Sequence, residues 1–416
     1  MSVRPGPGSH TASRRPALTM VGLFALGLVA TGCNAQASDQ ASSSGAQSSS
    51  AASPSAEASP SAPPTSKATI VKNVADRGVH VDKVVKLTAK DGTFASVAVH
   101  GGAQALAGSL SSDKSTWTST AALEPGRVYR ARAVAVDANG VRTTQTKTFR
   151  TQDLSLHQQT FPSFTPIGGQ TVGVGMPVIV RFDVPVADRA AIQKHLTVTN
   201  SSGQQGAWHW LSDSEVHWRP ATYWKPGTTV TVKADVNSVA AGNGVYGQVS
   251  RTESFKIGRS VISRVNAQTH QMKTFVDGKL VRTTPITTGK PGFITRSGVK
   301  VIVEKFRHKR MNSETIGIAQ NSADGYNLDD VEYAMRVTYS GEFVHAAPWS
   351  VGSQGYANVS HGCTGMSTSN AAWLYSRSKP GDVVEYTGTD RRMTLDNGYG
   401  DWNDSFAAWK QGSALS

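Results

Sequence analysis

Three residues able to do covalent or proton-transfer chemistry stand close together in the last third of this 416-residue chain. The stretch Val359–Ser367 reads "VSHGCTGMS" and puts His361 two residues before Cys363, while His345 stands 363 − 345 = 18 residues before the cysteine, at the end of the apolar run "GEFVHAAP". A thiol attacks as thiolate, and a facing imidazole is the group that takes its proton. A strand-end His345 facing Cys363 makes one dyad. His361 is the competing base, but at two residues' remove it is expected to shape the loop by hydrogen bonding. The stretch "STSNAAWLYSRS" has a helical pattern with Ser367 or Ser369 as cap, so Cys363 is expected at a helix start, where the dipole and free N–H groups favour thiolate. Gly362 and Gly365 let the backbone turn tightly, so that the N–H groups of Cys363 and its neighbours can point at the oxygen of a tetrahedral intermediate. His345, His361 and Cys363 are also three potential zinc ligands. No fourth ligand stands at zinc-like spacing, which weighs against a zinc site.

The compartment explains why so few thiols are used. Arg14 and Arg15 precede an uncharged run, "PALTMVGLFALGLVA", that ends in Ala30-Thr31-Gly32-Cys33. That run is a secretory signal, short of the roughly 18 apolar residues of a membrane span. Its ending "ATGC" resembles the bacterial lipobox, which makes Cys33 a lipidation site and the membrane a partner through an N-terminal anchor; an ordinary cleaved signal is the alternative. Residues 34–67, rich in Ser, Ala and Pro, have almost nothing to bury and read as a disordered spacer. The chain is then extracytoplasmic, at the outer face of the membrane, and Cys363 is its one remaining thiol, which calls for a chemical reason. The formal net charge of +13 suits a nucleic acid, an anionic envelope polymer or a membrane surface, and export excludes the nucleic acid. The basic cluster "KFRHKR", Lys305 to Arg310, reads as a solvated loop.

Two similar units must carry the chemistry outward. "VYRARAVAVDANG" alternates with strand periodicity and closes on Asn139-Gly140. Trp117 precedes Pro125-Gly126 and a strand, and Trp218 precedes Pro226-Gly227 and the strand "TTVTVKADV", both at an offset of 218 − 117 = 226 − 125 = 101 residues. Each copy ends in a similar strand, around Phe149 and Phe255. The spacing predicts two tandem immunoglobulin-like β-sandwiches, 68–152 and 153–258, with Trp117 and Trp218 in their cores. From about Val261 the text changes to a hairpin around Asp277-Gly278 and the strand-like runs "GVKVIVEKF", "EYAMRVTYS" and "GEFVHAAP". The fold class is therefore mainly β, with one or two short helices in the third domain.

These residues resemble the L,D-transpeptidases of the bacterial cell wall, with their YkuD-like catalytic domain. The family motif, a histidine, a gap, then Ser/Thr-His-Gly-Cys, is matched by His345 and by Ser360-His361-Gly362-Cys363. The resemblance runs from Val261 to the end, through "GDVVEY" and "GDWNDSFAAWK", and the actinobacterial branch shares the lipoprotein-like signal and two immunoglobulin-like domains. It implies a catalytic domain at 259–388 and a C-terminal extension, 389–416, packed on it. It implies Cys363 as nucleophile and His345 as base, oriented by the carbonyl of Ala346, with Ser360, His361, Gly362 and Thr364 in support or around the oxyanion, and Tyr326, Met311, Trp349 and Gly365 along the substrate crevice. Ala346 and Gly365 depart from the serine and asparagine common at those places. The implied activity is peptidoglycan cross-linking: a tetrapeptide stem as acyl donor, the side-chain amine of a diamino acid as acceptor, a cysteine thioester between them, and 3→3 cross-links as product, with no metal or organic cofactor needed. An L,D-carboxypeptidase using water and a non-catalytic cell-wall-binding lipoprotein are the alternatives. A monomer is expected.

Overall fold

A computed structural model describes residues 64–416. The expected signal, Cys33 and all but the end of the spacer lie outside the described residues.

The alternation read in the first unit becomes two four-stranded sheets. One has the order Thr69–Lys72, Lys86–Lys90, Thr116–Ser119, Gly108–Leu110; the other has the order Gln104–Ala105, Thr93–Gly101, Val128–Val136, Arg142–Arg150. Ile70, Leu87, Phe94, Trp117, Tyr129 and Phe149 fill the space between them. The second unit repeats the plan, with Val178–Phe182 and Glu215–Pro220 in one sheet facing Thr229–Ala234 and Arg251–Ile257 in the other. Trp218 stacks on Trp224 in its core, ring centres 5.3 Å apart. Ser238 and Asn237 of this unit donate hydrogen bonds to Leu123 O and to the Glu124 carboxylate of the first.

The third unit holds two sheets. Lys279–Pro285, Gln271–Val276, Val261–Asn266, Val383–Thr387 and Gly298–Val301 lie in that order in a five-stranded sheet. Asp277 (φ 47°) and Gly278 (φ 80°) take the left-handed conformations that a two-residue hairpin requires. Glu304–Asn312, Asn327–Arg336, Phe343–Ala346 and Thr364–Met366 form the other sheet, its last pair parallel. Helix Thr368–Arg377, capped by the Ser367 side chain on the N–H of Asn370, buries Ala371 and Leu374 in the core shared by both sheets.

Three expectations change. "GVKVIVEKF" is two strands, belonging to different sheets. "KFRHKR" is no loop. It lies in the strand Glu304–Asn312, and Arg307 and His308 pair across to Glu332 and Asp330 at 2.7 and 2.9 Å, so facing acidic residues give this basic run a strand partner. The C-terminal extension packs on the second sandwich as well as on the catalytic sheet. Trp409 stacks on His209, with ring centres 4.4 Å apart, and the Arg219 guanidinium sits between Trp402 and Trp409, while Asn403 exchanges hydrogen bonds with the backbone of Val299.

Candidate active site

The parallel pairing of Phe343–Ala346 with Thr364–Met366 builds the site. Its register sets Val344 against Thr364 and His345 against Gly365. Side chains alternate along a strand, so His345, Gly365 and Cys363 belong to one face and Thr364 to the other. The opposite edge of the cysteine strand is held by Thr287, whose N–H and C=O both bond to Gly365 at 2.9 Å.

The approach to Cys363 is a tight turn braced from inside. Ser360 Oγ accepts the N–H of Gly362 at 3.1 Å and donates to the carbonyl of Cys363 at 2.6 Å. Gly362 has φ +119°, a conformation that side chains rarely adopt, and its carbonyl accepts the Thr295 hydroxyl at 2.8 Å. Among the described residues no acceptor takes the N–H of Cys363, which leaves that donor for an incoming oxygen.

The electrostatics differ from the expectation of a dipole-activated thiolate. The strand Thr364–Met366 intervenes before the helix, which begins at Thr368, so Cys363 is a turn residue and takes nothing from the helix dipole. Burial pushes its thiol up to about 11. The Sγ–H points to Gly341 O at 3.6 Å, and the N–H of Phe343 faces the sulfur. His345, 5% exposed, donates from Nδ1 to Ala346 O at 2.7 Å, and burial holds its pKa below the ordinary imidazole value. That hydrogen bond fixes the proton on Nδ1 and leaves Nε2 as the basic nitrogen. The resting pair is a neutral thiol and a neutral imidazole.

A cavity of about 340 Å³ opens over them, lined among others by Cys363, His345, Ser360, His361, Tyr326, Met311, Trp349 and Gly365. Trp349 stands on the short helix Pro348–Ser353, 57% exposed, with its ring 5.9 Å from that of His345. Met311 and Tyr326 form part of a separate apolar cluster that Cys363 also touches. Contrary to expectation, His361 does not shape the loop by hydrogen bonding. Its ring packs against Phe293 and Tyr326 at 4.6 and 5.2 Å, and Nε2 is 3.7 Å from Asp324, beyond hydrogen-bond reach. Burial first, and then the charge of Lys290, keep its pKa low. Thr364 is turned away from the cavity, hydroxyl to hydroxyl with Tyr386 at 2.8 Å, and Ala346 and Gly362 act through backbone atoms without lining it.

Sequence reasoning missed Thr287 and Leu328 in the wall, because the pairing that brings them there joins distant segments, and Ala347, Ser350 and Val359, which flank the named residues but carry no group that marks them for the chemistry. It also missed a buried charge cluster behind the turn, Lys300, Glu342 and Arg296. Lys300 is fully buried, which lowers its pKa to about 8 against the pull of Glu342. Nothing in the text marks these as buried, since each sits in a strand-like run where a charge is usually solvated.

Residues 76–240 match the bacterial Ig domain model, and residues 260–385 match that of the L,D-transpeptidase catalytic domain. L,D-transpeptidase 2 of Mycobacterium tuberculosis is 40% identical over 339 residues, 81% of this chain and 82% of its own length. L,D-transpeptidase 5 of the same organism is 32% identical over 364 residues, 85% and 78% of the two chains. A solved structure of an L,D-transpeptidase in complex with imipenem is 38% identical, covers 55% of this chain and 99% of its own, and superposes with a TM-score of 0.49.

Proposed function

The chain is a member of the L,D-transpeptidase family, and we propose that it forms 3→3 cross-links between peptidoglycan stems through a thioester on Cys363. The observation that carries this reading is a buried imidazole and a thiol on one wall of one cavity, where burial lowers the pKa of the first and raises that of the second. Because neither group is charged at rest, the thiol proton moves to Nε2 of His345 as the sulfur attacks. The sulfur adds to the amide carbon between the diamino acid and the terminal D-alanine of the donor stem, and the N–H of Cys363 meets the developing oxyanion. His345 then gives the proton to the departing amine, D-alanine leaves and the thioester remains. The side-chain amine of a second stem attacks the thioester, His345 takes a proton from that amine, and the thiol is restored. Met311, Leu328, Val359 and Trp349 give the cavity an apolar lining that disfavours water as the acceptor.

The same reading places the protein outside the membrane as a lipoprotein, tethered through Cys33 and the spacer. Cys33→Ala is expected to move the chain from the membrane fraction to the soluble one, and a variant that stays membrane-bound would refute the tether.

Incubation of the full chain with purified disaccharide-tetrapeptide tests the activity. The expected product is a 3→3-linked dimer with release of D-alanine. Release of D-alanine without a dimer would make the enzyme an L,D-carboxypeptidase, and an unchanged substrate would leave a wall-binding protein.

A further inference from the structure

Glu342 lies between the two peptide groups that meet the nucleophile. The carbonyl of Gly341, in the peptide before it, receives the Cys363 thiol hydrogen at 3.6 Å. The N–H of Phe343, in the peptide after it, faces the sulfur. The first peptide is set by a glycine that other residues would strain: Gly341 has φ +98°, and a Cβ there would stand 2.6 Å from Ile316 Cγ2.

The Glu342 side chain is gripped from the other side. Its Oε2 accepts the ammonium of Lys300, and Oε1 accepts the guanidinium and the N–H of Arg296 at 2.9 and 3.2 Å. A Cβ added at Gly362 would be 3.6 Å from Glu342 Cγ, so this side chain underlies the turn that carries Cys363. Lys300 Nζ lies 3.7 Å from the centre of the Tyr386 ring, whose hydroxyl meets Thr364, the residue after the cysteine. The cluster therefore touches the nucleophile's surroundings from both chain directions. A buried ion pair of this kind adds little net stability, so stability alone does not explain it.

We infer that Lys300, Glu342 and Arg296 are positioning residues for the nucleophile: Lys300 and Arg296 lock Glu342 so that the peptide before it anchors the thiol and the peptide after it receives the thiolate. The inference rests on the reading of Cys363 as the nucleophile. None of the three lines the cavity, so each acts on the reaction through the turn. Their charges also bear on the thiol: Glu342 opposes thiolate, while Lys300 and the nearby Arg336 favour it. The remaining titratable groups around the sulfur are the hydroxyls of Tyr326 and Tyr386 and the imidazoles of His345 and His361.

The test uses the full chain with Cys33→Ser, in which Cys363 is the single thiol, and reads two quantities as a function of pH: the rate of alkylation by iodoacetamide and the rate of acylation by a carbapenem, followed by intact mass. Lys300→Met removes the cation and leaves the anion. Its alkylation midpoint is expected to rise by about one pH unit, with acylation slowed at least about tenfold. Glu342→Gln is expected to move the midpoint the other way and also to slow acylation. The double variant Lys300→Met/Glu342→Gln, which removes the fully buried Lys300 charge together with its anion and leaves only the part-exposed Arg296 without its carboxylate, is the safeguard should a single variant misfold; it is expected to return the midpoint toward the parent value while acylation stays slow. Folded variants with unchanged midpoints and rates would overturn the inference. So would recovery of the acylation rate together with the midpoint in the double variant, because the cluster would then act by charge alone. A parent chain that alkylates but is not acylated would instead sink the transpeptidase reading.

Discussion

Among the described residues two histidines are almost completely buried, and they are held in opposite charge states. His217, 1% exposed, lies at the seam between the second sandwich and the C-terminal extension, with Nδ1 2.7 Å from Asp401 Oδ1 and Nε2 2.6 Å from Glu215 Oε1. His345, 5% exposed, has one partner, the neutral carbonyl of Ala346. Burial acts on both as the first influence and disfavours the cation in each. At His217 the two carboxylates overcome it and push the pKa up to about 9; at His345 nothing does, and the pKa falls. Burial alone thus prepares a base, whereas burial with carboxylates makes a charged fastener. The contrast suits the tasks, since a general base has to be unprotonated at working pH, whereas at the joint a charged histidine keeps two carboxylates from being buried without a partner.

Exchanging the roles gives the largest expected effects. His345→Ala is expected to lower the carbapenem acylation rate by about 10²–10⁴-fold, with a denaturation midpoint close to the parent's. A rate within a few-fold of the parent in a folded variant would break the assignment of the base, above all if His361→Ala, equally folded, were the slower of the two. His217→Leu is expected to do the reverse. It strands Asp401 as a buried anion, so the loss in urea denaturation is expected to be about 3–5 kcal/mol, while acylation of the still-folded fraction continues.

The pH dependence sharpens the comparison. The folded pKa of His217 lies above its unfolded value of 6.5, so its contribution is complete below pH 6.5 and is lost as the pH rises through about 9. The shift of 9 − 6.5 = 2.5 corresponds to about 3 kcal/mol in order of magnitude. Unfolding free energies between pH 6 and pH 10 should fall over that window in the parent and stay flat across it in His217→Gln. For His345 the sign is opposite. Its folded pKa is depressed, so the imidazole remains a base below pH 6.5, and the acid limb of the acylation profile is expected to lie under that value. An acid limb at or above pH 6.5 would contradict the neutral-base account.

The smallest expected effect concerns Gly365. A Cβ there would meet Ala347 Cβ at 2.9 Å and Thr287 Cγ2 at 3.1 Å, so Gly365→Asn is expected to cost about 1–3 kcal/mol in thermal or urea denaturation. The variant should still be acylated, because the imidazole and the thiol do not depend on that side chain.

Much of this was legible in the residues. The repeat offset marked equivalent strands of the two sandwiches, Asp277-Gly278 a hairpin, and Ser367 a helix cap, because each rests on local chemistry or period. The spacing of His345 and Cys363 could mark a dyad without saying how it is poised. The thiol's surroundings were hidden because a three-residue strand separates it from the helix and pairs in parallel with a segment twenty residues earlier, and such short non-local pairing leaves no periodic signal. His217 and Glu342 were hidden for a related reason. A charged residue in an alternating strand reads as solvent-facing unless its partner is known, and the partners here, Asp401 and Lys300, lie 184 and 42 residues away.

The central claim is that His345 stands neutral beside Cys363 while an equally buried histidine in the same chain is charged. Long-range ¹H–¹⁵N correlation spectra of the full chain with labelled histidine, at pH 7, read this directly, with His345→Gln and His217→Gln identifying the two signals. The account predicts an imidazolium, protonated on both nitrogens, at His217, and at His345 a neutral ring protonated on Nδ1 alone. A doubly protonated His345, or one carrying its single proton on Nε2, would contradict it.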